Sequence, residues 1–310
     1  MTRPSPPLPW DDVRLFLALC RSRTLGEAAR RLGVDSSTLS RRLSALELAL
    51  SATLFERGRD GIAATEAAQR LQPVAEEMEQ AMVRFTGTAE SFERNVSGCV
   101  RIACPGDIAE LLIAPFLPQL LQRHPQLQVD RSAGEGVVDL ARREADLALR
   151  TARPTAGDLV MTRLFTVQWR VAAAPAVARK VRTLRAWNAV PWIGWNARLT
   201  ETTPGRWHAR VLSGIQPVVR ADRLAIQIAC ARAGLGVALV PEISIRASGL
   251  VPLKLSSALQ ANVTPWPQDE ILLVTHRSLR RVPRIRAVWD FLREHATHRG
   301  RILSARGEAE

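Results

Sequence analysis

The sequence predicts an α/β protein with an N-terminal all-α winged helix-turn-helix domain. Three observations carry this. Helix-start signals and helical apolar spacings fill residues 10–50, and a strand–turn–strand pattern follows at 54–64. A long 3,4-spaced segment occupies 66–94. Beyond about residue 98, strand and helix signals alternate almost to the end, as in an open α/β sheet.

Asp11 and Asp12 open the first helix, where acids suit the helix dipole. Val13, Phe16, Leu17 and Cys20 then share one face. Thr24 and Glu27 form a capping box for a short helix Leu25–Leu32, stopped by Gly33 in a left-handed cap. Val34 is expected to be buried in the turn. Asp35 caps a third helix, with Leu39, Leu43, Leu46 and Leu50 toward the core. Two helices joined by a short Gly-containing turn make a helix-turn-helix.

Ser36, Ser37, Thr38, Ser40, Arg41 and Arg42 lie around the first turns of that third helix. Short hydroxyls and guanidinium groups suit phosphates and base edges in a DNA major groove. On pattern alone two readings stay open, a DNA reader and an ordinary helical hairpin with a solvated polar face. Leu54–Arg57, Gly58–Gly61 and Ile62–Ala64 read as strand, tight turn and strand, which is a wing. Arg57 and Arg59 would reach phosphate or the minor groove from it.

Thr65 can cap a helix starting at Glu66. Leu71, Val74, Met78, Ala81, Phe85, Thr88 and Phe92 recur at alternating 3 and 4 spacing, an a/d seam over three heptads. Such a seam pairs two helices or lies on its own domain; pairing is favoured, because a helix-turn-helix reads two half-sites when dimeric. Pro73 is placed near the helix start, where proline is tolerated.

Composition narrows the class without deciding it. The 310 residues suit two or three domains, and 46% hydrophobic with 24% charged is a globular balance. Met1–Pro9 lacks the apolar core of a signal peptide, and Leu111–Leu121 is too short and Pro-broken to cross a bilayer. A cytoplasmic protein is expected. The net charge of +13 comes almost entirely from arginine. Residues 1–70 hold eleven Arg against eight acids, so pattern and not bulk charge marks the N-terminal part. Cys20, Cys99, Cys104 and Cys230 are scattered without metal-ligand spacing and are read as small buried hydrophobes. No metal or cofactor is expected.

The runs Phe16-Leu17-Ala18-Leu19, Gly26-Glu27-Ala28-Ala29-Arg30-Arg31-Leu32, Leu39-Ser40-Arg41-Arg42-Leu43, Leu46-Glu47, Leu54-Phe55-Glu56-Arg57 and Thr65-Glu66-Ala67 occur in one order at one spacing. Together they resemble the LysR-type transcriptional regulator family. The chain departs from the family's Ser-Gln-Pro at Asp35-Ser36-Ser37, from its helix-closing Gly at Ser51, and from the Gly after Thr-Glu-Ala at Ala68. Position 36 is commonly a base reader there, so the family's operator preference does not carry over to this chain. The resemblance implies double-stranded DNA and a small-molecule effector as partners. It also implies a homodimer extending to a homotetramer, and it is compatible with contact to RNA polymerase.

In the C-terminal half, Asn95–Gly98 reads as a hinge. Strands are predicted at Val100–Cys104, Leu127–Arg131, Asp146–Arg150, Met161–Ala173, Trp192–Trp195, Val218–Arg220, Val237–Val240 and Ile271–Thr275. Helices are predicted at Ile108–Arg123, Val137–Arg143, Asp222–Arg232 and Arg284–His295. Arg101-Ile102, Val138-Asp139-Leu140, Asp146–Arg150, Ala233–Ala238, Pro241 and His276-Arg277 are similar to the same family's effector-binding half, whose fold is periplasmic-binding-protein-like with two subdomains. The expected organisation is a DNA-binding domain at 8–65, a linker helix at 66–94 and an effector-binding domain at 95–298. Subdomain I takes about 95–170 and 269–298, subdomain II about 171–268, and 299–310 form a disordered tail.

The expected pocket lies between the subdomains, at strand ends. Its walls are Cys104, Pro105 and Asp107, then Arg150 and Thr151, then Trp195, then Ala221, Asp222 and Arg223 opening a helix. Asp107 and Asp222 are read as N-caps. Their charge, with Cys104 where the family often has Ser or Thr, favours a neutral, zwitterionic or aromatic effector over a simple carboxylate. Trp187, Trp192, Trp195 and Trp207 are an aromatic cage or subdomain core. A second function class, a metabolite-binding protein or enzyme on the binding-protein fold, is disfavoured by the N-terminal pattern. No Gly-x-Ser-x-Gly, phosphate loop or His-Glu-x-x-His occurs, so no catalysis is expected.

Overall fold

Three polar side chains start three of the four described helices of the N-terminal unit. In the computed structural model, which describes residues 8–58, 61–90, 92, 95–132, 139–140, 143–154, 158–196, 199, 201–263 and 265–305, the chain divides into two compact units between Ala89 and Glu90. Helix α1 (Trp10–Cys20) leads to α2 (Leu25–Leu32), where Thr24 Oγ1 accepts from the Glu27 amide at 3.2 Å. The Glu27 carboxylate reaches back to the amide of Arg23, one residue before the cap, at 3.0 Å. Gly33 closes α2 at φ 68°. Asp35 then accepts from the Thr38 amide at 2.7 Å and starts α3 (Ser36–Leu50).

Leu39, Leu43 and Leu46 of α3 are buried against Val13, Phe16 and Leu17 of α1. Each such burial contributes about 2 kcal/mol. Leu50, expected in that row, is exposed, because the last turn of α3 runs past the end of α1's apolar face. Val34 is half-buried, not buried.

The wing pairs β1 (Phe55–Gly58) with β2 (Gly61–Ala64), Phe55 opposite Ala64. The amide of Ile62 donates to the Arg23 carbonyl at 2.9 Å. Gly61 is required there: its φ is 124°, and a Cβ would collide with that same carbonyl. Glu47 of α3 accepts from the amides of Leu54 and Phe55 at 2.7 and 3.1 Å, so α3 itself holds the wing's first strand. Thr65 Oγ1 caps α4 (Glu66–Glu90), accepting from Ala68 at 3.3 Å. Arg21 pairs with Glu79 through both carboxylate oxygens, at 2.9 and 2.6 Å, fastening α4 to the end of α1. Pro73 is the eighth residue of α4, deeper than the sequence suggests, and deprives the Gln69 carbonyl of its helical donor.

In the second unit β3 (Gly98–Ala103) enters a stretch read as one helix, Ile108–Arg123. It is broken instead: α5 (Gly106–Ile108), a π turn Ala109–Ile113, a 3₁₀ turn Ala114–Phe116 and α6 (Leu117–Arg123). Pro115 and Pro118 cannot donate, so regular i→i−4 bonding is interrupted at both. Next come β4 (Leu127–Ser132), β5 (Leu147–Arg150) and β6 (Leu159–Ala173). The helix read at Val137–Arg143 falls mostly outside the described residues. Then follow α7 (Pro175–Val181), β7 (Thr183–Leu184), β8 (Trp192–Trp195), α8 (Thr203–Val211), β9 (Val219–Ala221), α9 (Leu224–Arg232), β10 (Val237–Pro241) and α10 (Glu242–Ala247). Finally come β11 (Val251–Pro252), β12 (Lys254–Leu255), α11 (Ser257–Val263), β13 (Gln268–His276) and α12 (Pro283–Ala305).

The main sheet runs β4-β3-β5-β13-β6-β10-β8-β9, with β11 added beside β6. Within it β3, β4 and β5 are parallel, as are β8, β9 and β10, while β13 and β6 are antiparallel to each other. One core gathers β3, β5, α6 and α12 around Leu147, Leu273 and Trp289. The other gathers β8, β10 and α9 around Trp192, Trp207 and Val240. Strand β6 contributes to both, through Leu164–Val167 and Trp169–Ala173. Helix α12 carries on to Ala305, so residues 299–305, read as disordered, continue a helix that no proline interrupts after Pro283.

Ser51 caps α3 in the left-handed region at φ 51°. That conformation costs a side-chain-bearing residue about 1 kcal/mol relative to glycine. Ser51→Gly is therefore expected to stabilise the protein by about 1 kcal/mol. Denaturant unfolding measures it; an unchanged or lower midpoint would contradict the strain.

Candidate nucleic-acid interface and effector cleft

The expected DNA-contacting residues separate into two groups. Ser36 and Arg41 are exposed on α3. Ser40 is half-buried and Arg42 is turned inward, its guanidinium donating to Asp12 of α1 at 2.7 Å. Arg42 thus pins the two helices together, leaving Arg41, one residue and about 100° of helix away, facing out. The Ser37 and Thr38 hydroxyls both donate to Asp35, at 2.6 and 2.7 Å. These two bonds, led by that of Ser37, and the Thr38 amide hold the Asp35 carboxyl well below the usual carboxylate range. Ser37 and Thr38 therefore build the cap. The side chain of Arg57 and the whole of Arg59 lie outside the described residues, so the wing contact stays a reading of the sequence.

The heptad positions on α4 remain uncovered. Leu71, Val74, Met78, Ala81, Phe85 and Thr88 are all exposed, Phe85 at 69%. Ala68 and Ala75, on another face, are buried in the first unit's core. Phe92, read as the last seam position, lies beyond the helix end in a turn and is 75% exposed.

In the second unit, strand pairing gathers most of the expected cleft residues. Cys104 and Pro105 follow β3, beside β5, which ends at Arg150. Trp195 ends β8 opposite Ala221 of β9. Cys104 is buried, and burial pushes its thiol up despite Arg131 nearby, so it favours the thiol form. Cys99, also read as buried, is exposed, and Cys20 and Cys230 are half-buried. Arg150 is half-buried, and burial lowers its pKa. Thr151, Asp222 and Arg223 are exposed.

Neither aspartate is an N-cap. Pro105 occupies that position before α5, and Arg223 before α9, without a side-chain bond in either case. The Asp222 position fails because α9 begins two residues later than its apolar pattern suggests. Trp187, Trp192 and Trp207 pack on one another as core, ring centroids 5.9–6.4 Å apart. The Gly234–Gly236 run follows α9 and precedes β10, so it is a helix closure and no phosphate loop. Three further polar or aromatic residues of the second unit were not singled out in the sequence. Asp269, Trp169 and Gln227 carry no local motif, and the first two meet only because β13 returns beside β6.

Family models match both units: the bacterial regulatory helix-turn-helix of the lysR family over residues 10–69, and the LysR substrate binding domain over 93–297. The chain belongs to the LysR family of bacterial transcriptional regulators. LysR-family proteins are DNA-binding regulators with an effector-binding domain, not enzymes, and the N-terminal hairpin is accordingly a helix-turn-helix. The Mau operon transcriptional activator of Paracoccus denitrificans is 32% identical over 57% of this chain and 62% of its own length. IlvY of Escherichia coli is 25% identical over 92% of this chain and 98% of its own. Among solved structures, CrgA of Neisseria meningitidis shares the fold at TM-score 0.56 and 21% identity, covering 94% of this chain and 99% of that one. A full-length OxyR variant of Pseudomonas aeruginosa shares it at 0.59 and 18%, covering 94% and 98%. Among the described residues no helix is long and apolar enough to cross a membrane, and no three His, Cys, Asp or Glu side chains could hold a metal ion.

Proposed function

We propose that this LysR-family regulator reads a specific operator with α3, pairs two copies through α4, and responds to a small molecule bound between the subdomains of its second unit. The observation that carries the first part is the division of labour on α3. Asp35, Ser37, Thr38, Arg42 and Glu47 fasten the helix from within its own domain. Ser36 and Arg41 are left exposed for base edges, with Ser40 beside them and Arg57 and Arg59 assigned to the wing. Ser36 and Arg41 sit where a recognition helix enters the major groove.

The exposed Leu71–Phe85 stripe supports the second part. A row of large apolar side chains at heptad spacing is costly to leave in water and is satisfied by a second copy. Further pairing of dimers into a tetramer, action in the cytoplasm and contact with RNA polymerase belong to the same reading. The effector would lie at the ends of β3, β5, β8 and β9, bounded by Cys104, Pro105, Asp107, Arg150, Thr151, Trp195 and Ala221, with Asp222 and Arg223 at the rim.

Arg41→Ala is expected to weaken operator binding by about 5- to 150-fold, the equivalent of about 1–3 kcal/mol, without moving the melting temperature. Arg42→Ala is expected to lower the melting temperature as well. Fluorescence anisotropy on DNA flanking the gene checks the first and thermal unfolding the second; unchanged affinity in Arg41→Ala would remove it from the interface. Met78→Glu places like charges across the seam and is expected to shift the protein toward monomer in sedimentation velocity. An unchanged oligomer would show that α4 does not form the interface.

A further inference from the structure

A row of groups crosses the second unit from one subdomain to the other. Asp107, in α5, is half-buried. Burial pushes its carboxyl up, the backbone amides of Ile108 and of Asp107 itself pull it partly back, and the charges of Glu110 and Asp269 raise it again. Asp269 accepts from the indole nitrogen of Trp169 at 2.9 Å. That bond sets the Trp169 ring, which meets Trp195 edge to face, centroids 6.3 Å apart at 73°. These residues come from α5, β13, β6 and β8, so both subdomains supply them. Two arginines of the same region have other partners: Arg131 donates to the Cys104 carbonyl at 3.2 Å, and the charge of Asp139 acts on Arg150 at the end of β5.

Two further observations point to an absent partner. The Trp195 indole nitrogen is buried and, among the described residues, has no acceptor. Gln227 is 0% exposed on the face of α9 that packs against β8, β9 and β10, and neither of its amide atoms has a partner among the described residues. Strands β8 and β9 end at Trp195 and Ala221, the end from which α9 starts. Buried polar groups in finished proteins are nearly always bonded, so the Trp195 N–H and the Gln227 amide nitrogen call for an acceptor, and the Gln227 amide oxygen for a donor.

Carboxylates beside indole rings recognise a cation, tryptophan being the best aromatic for it. An unpartnered indole N–H and a carboxamide recognise an oxygen. We propose that the cleft takes a small aliphatic amine in its ammonium form that also carries an oxygen acceptor. The ammonium sits among Asp107, Asp269 and the Trp169–Trp195 pair. The oxygen points to the Trp195 N–H, on the side of Gln227. This names the ligand class for the effector cleft and rests on that reading.

Four matched probes test it on the full chain by calorimetry and thermal shift: aminopropanol, propylamine, propionate and propanol. Aminopropanol is expected to bind tightest, propylamine more weakly, and the other two not measurably. Asp107→Asn is expected to weaken both amines at least tenfold. Trp195→Phe, which keeps a ring but loses the N–H, is expected to bring aminopropanol down to the level of propylamine. Binding of propionate, abolished by Arg150→Ala, overturns the amine assignment and leaves the cleft as the effector site. Stabilisation by propanol alone, or by none of the four, also overturns it. Binding of any probe that Asp107→Asn, Arg150→Ala and Trp195→Phe all leave unchanged places the ligand elsewhere, and the cleft reading falls with the proposal.

Discussion

The antiparallel pairing of β6 with β13 is the constraint on which the second unit depends. Strand β6 has 15 residues, about 50 Å of extended chain. Its first part bonds to β13, and its last part, from Trp169, bonds to β10. Strand β13 therefore edges the first parallel set and β6 the second, and each apolar core is built against a different stretch of β6. The register shift at Ile271–Leu272 lets β13 follow β6 while keeping Leu273 in the first core. The proposed cleft follows from the same pairing. Two parallel sets joined through one antiparallel pair bring the strand ends carrying Arg150 and Trp195 toward a shared region, with Asp269 and Trp169 bonded between them.

The first unit solves a different problem, how to present one helix face while hiding the other. It does so with short polar contacts added to its apolar core. Asp35 fixes where α3 begins, Arg42 fixes its rotation against α1, and Glu47 ties its far half to the wing. The small net charge of residues 1–70 fits this arrangement. Several of its arginines are committed to acids within the unit, among them Arg21, Arg31 and Arg42. Recognition of DNA by such a unit rests on where a few residues point.

Local chemistry made much of this legible before any coordinates. Thr24, Asp35 and Thr65 were readable as caps because capping joins residues three apart. Trp192–Trp195 and the wing were readable because a strand's period is short. Four helices of the second unit, α7, α8, α10 and α11, have six to nine residues each, too few turns for a spacing to stand out. Asp107 and Asp222 looked like caps because the expected helix starts were displaced by one or two residues. Arg42 looked like Arg41, since nothing in the sequence says that Asp12 waits opposite it. Trp169 and Asp269 are 100 residues apart, and only the sheet order brings them together.

Presentation of α3 and the proposed pairing through α4 make one joint demand on DNA. Two copies of a helix-turn-helix engage two half-sites on one face of the duplex, about 34 Å or a multiple of it apart. Footprinting of the full chain on the DNA flanking its gene measures this most directly. The account predicts paired protections over an inverted repeat, spaced by whole helical turns and appearing together as protein is added. A single short protection that saturates independently of any second one, or no protection above non-specific binding, would contradict it.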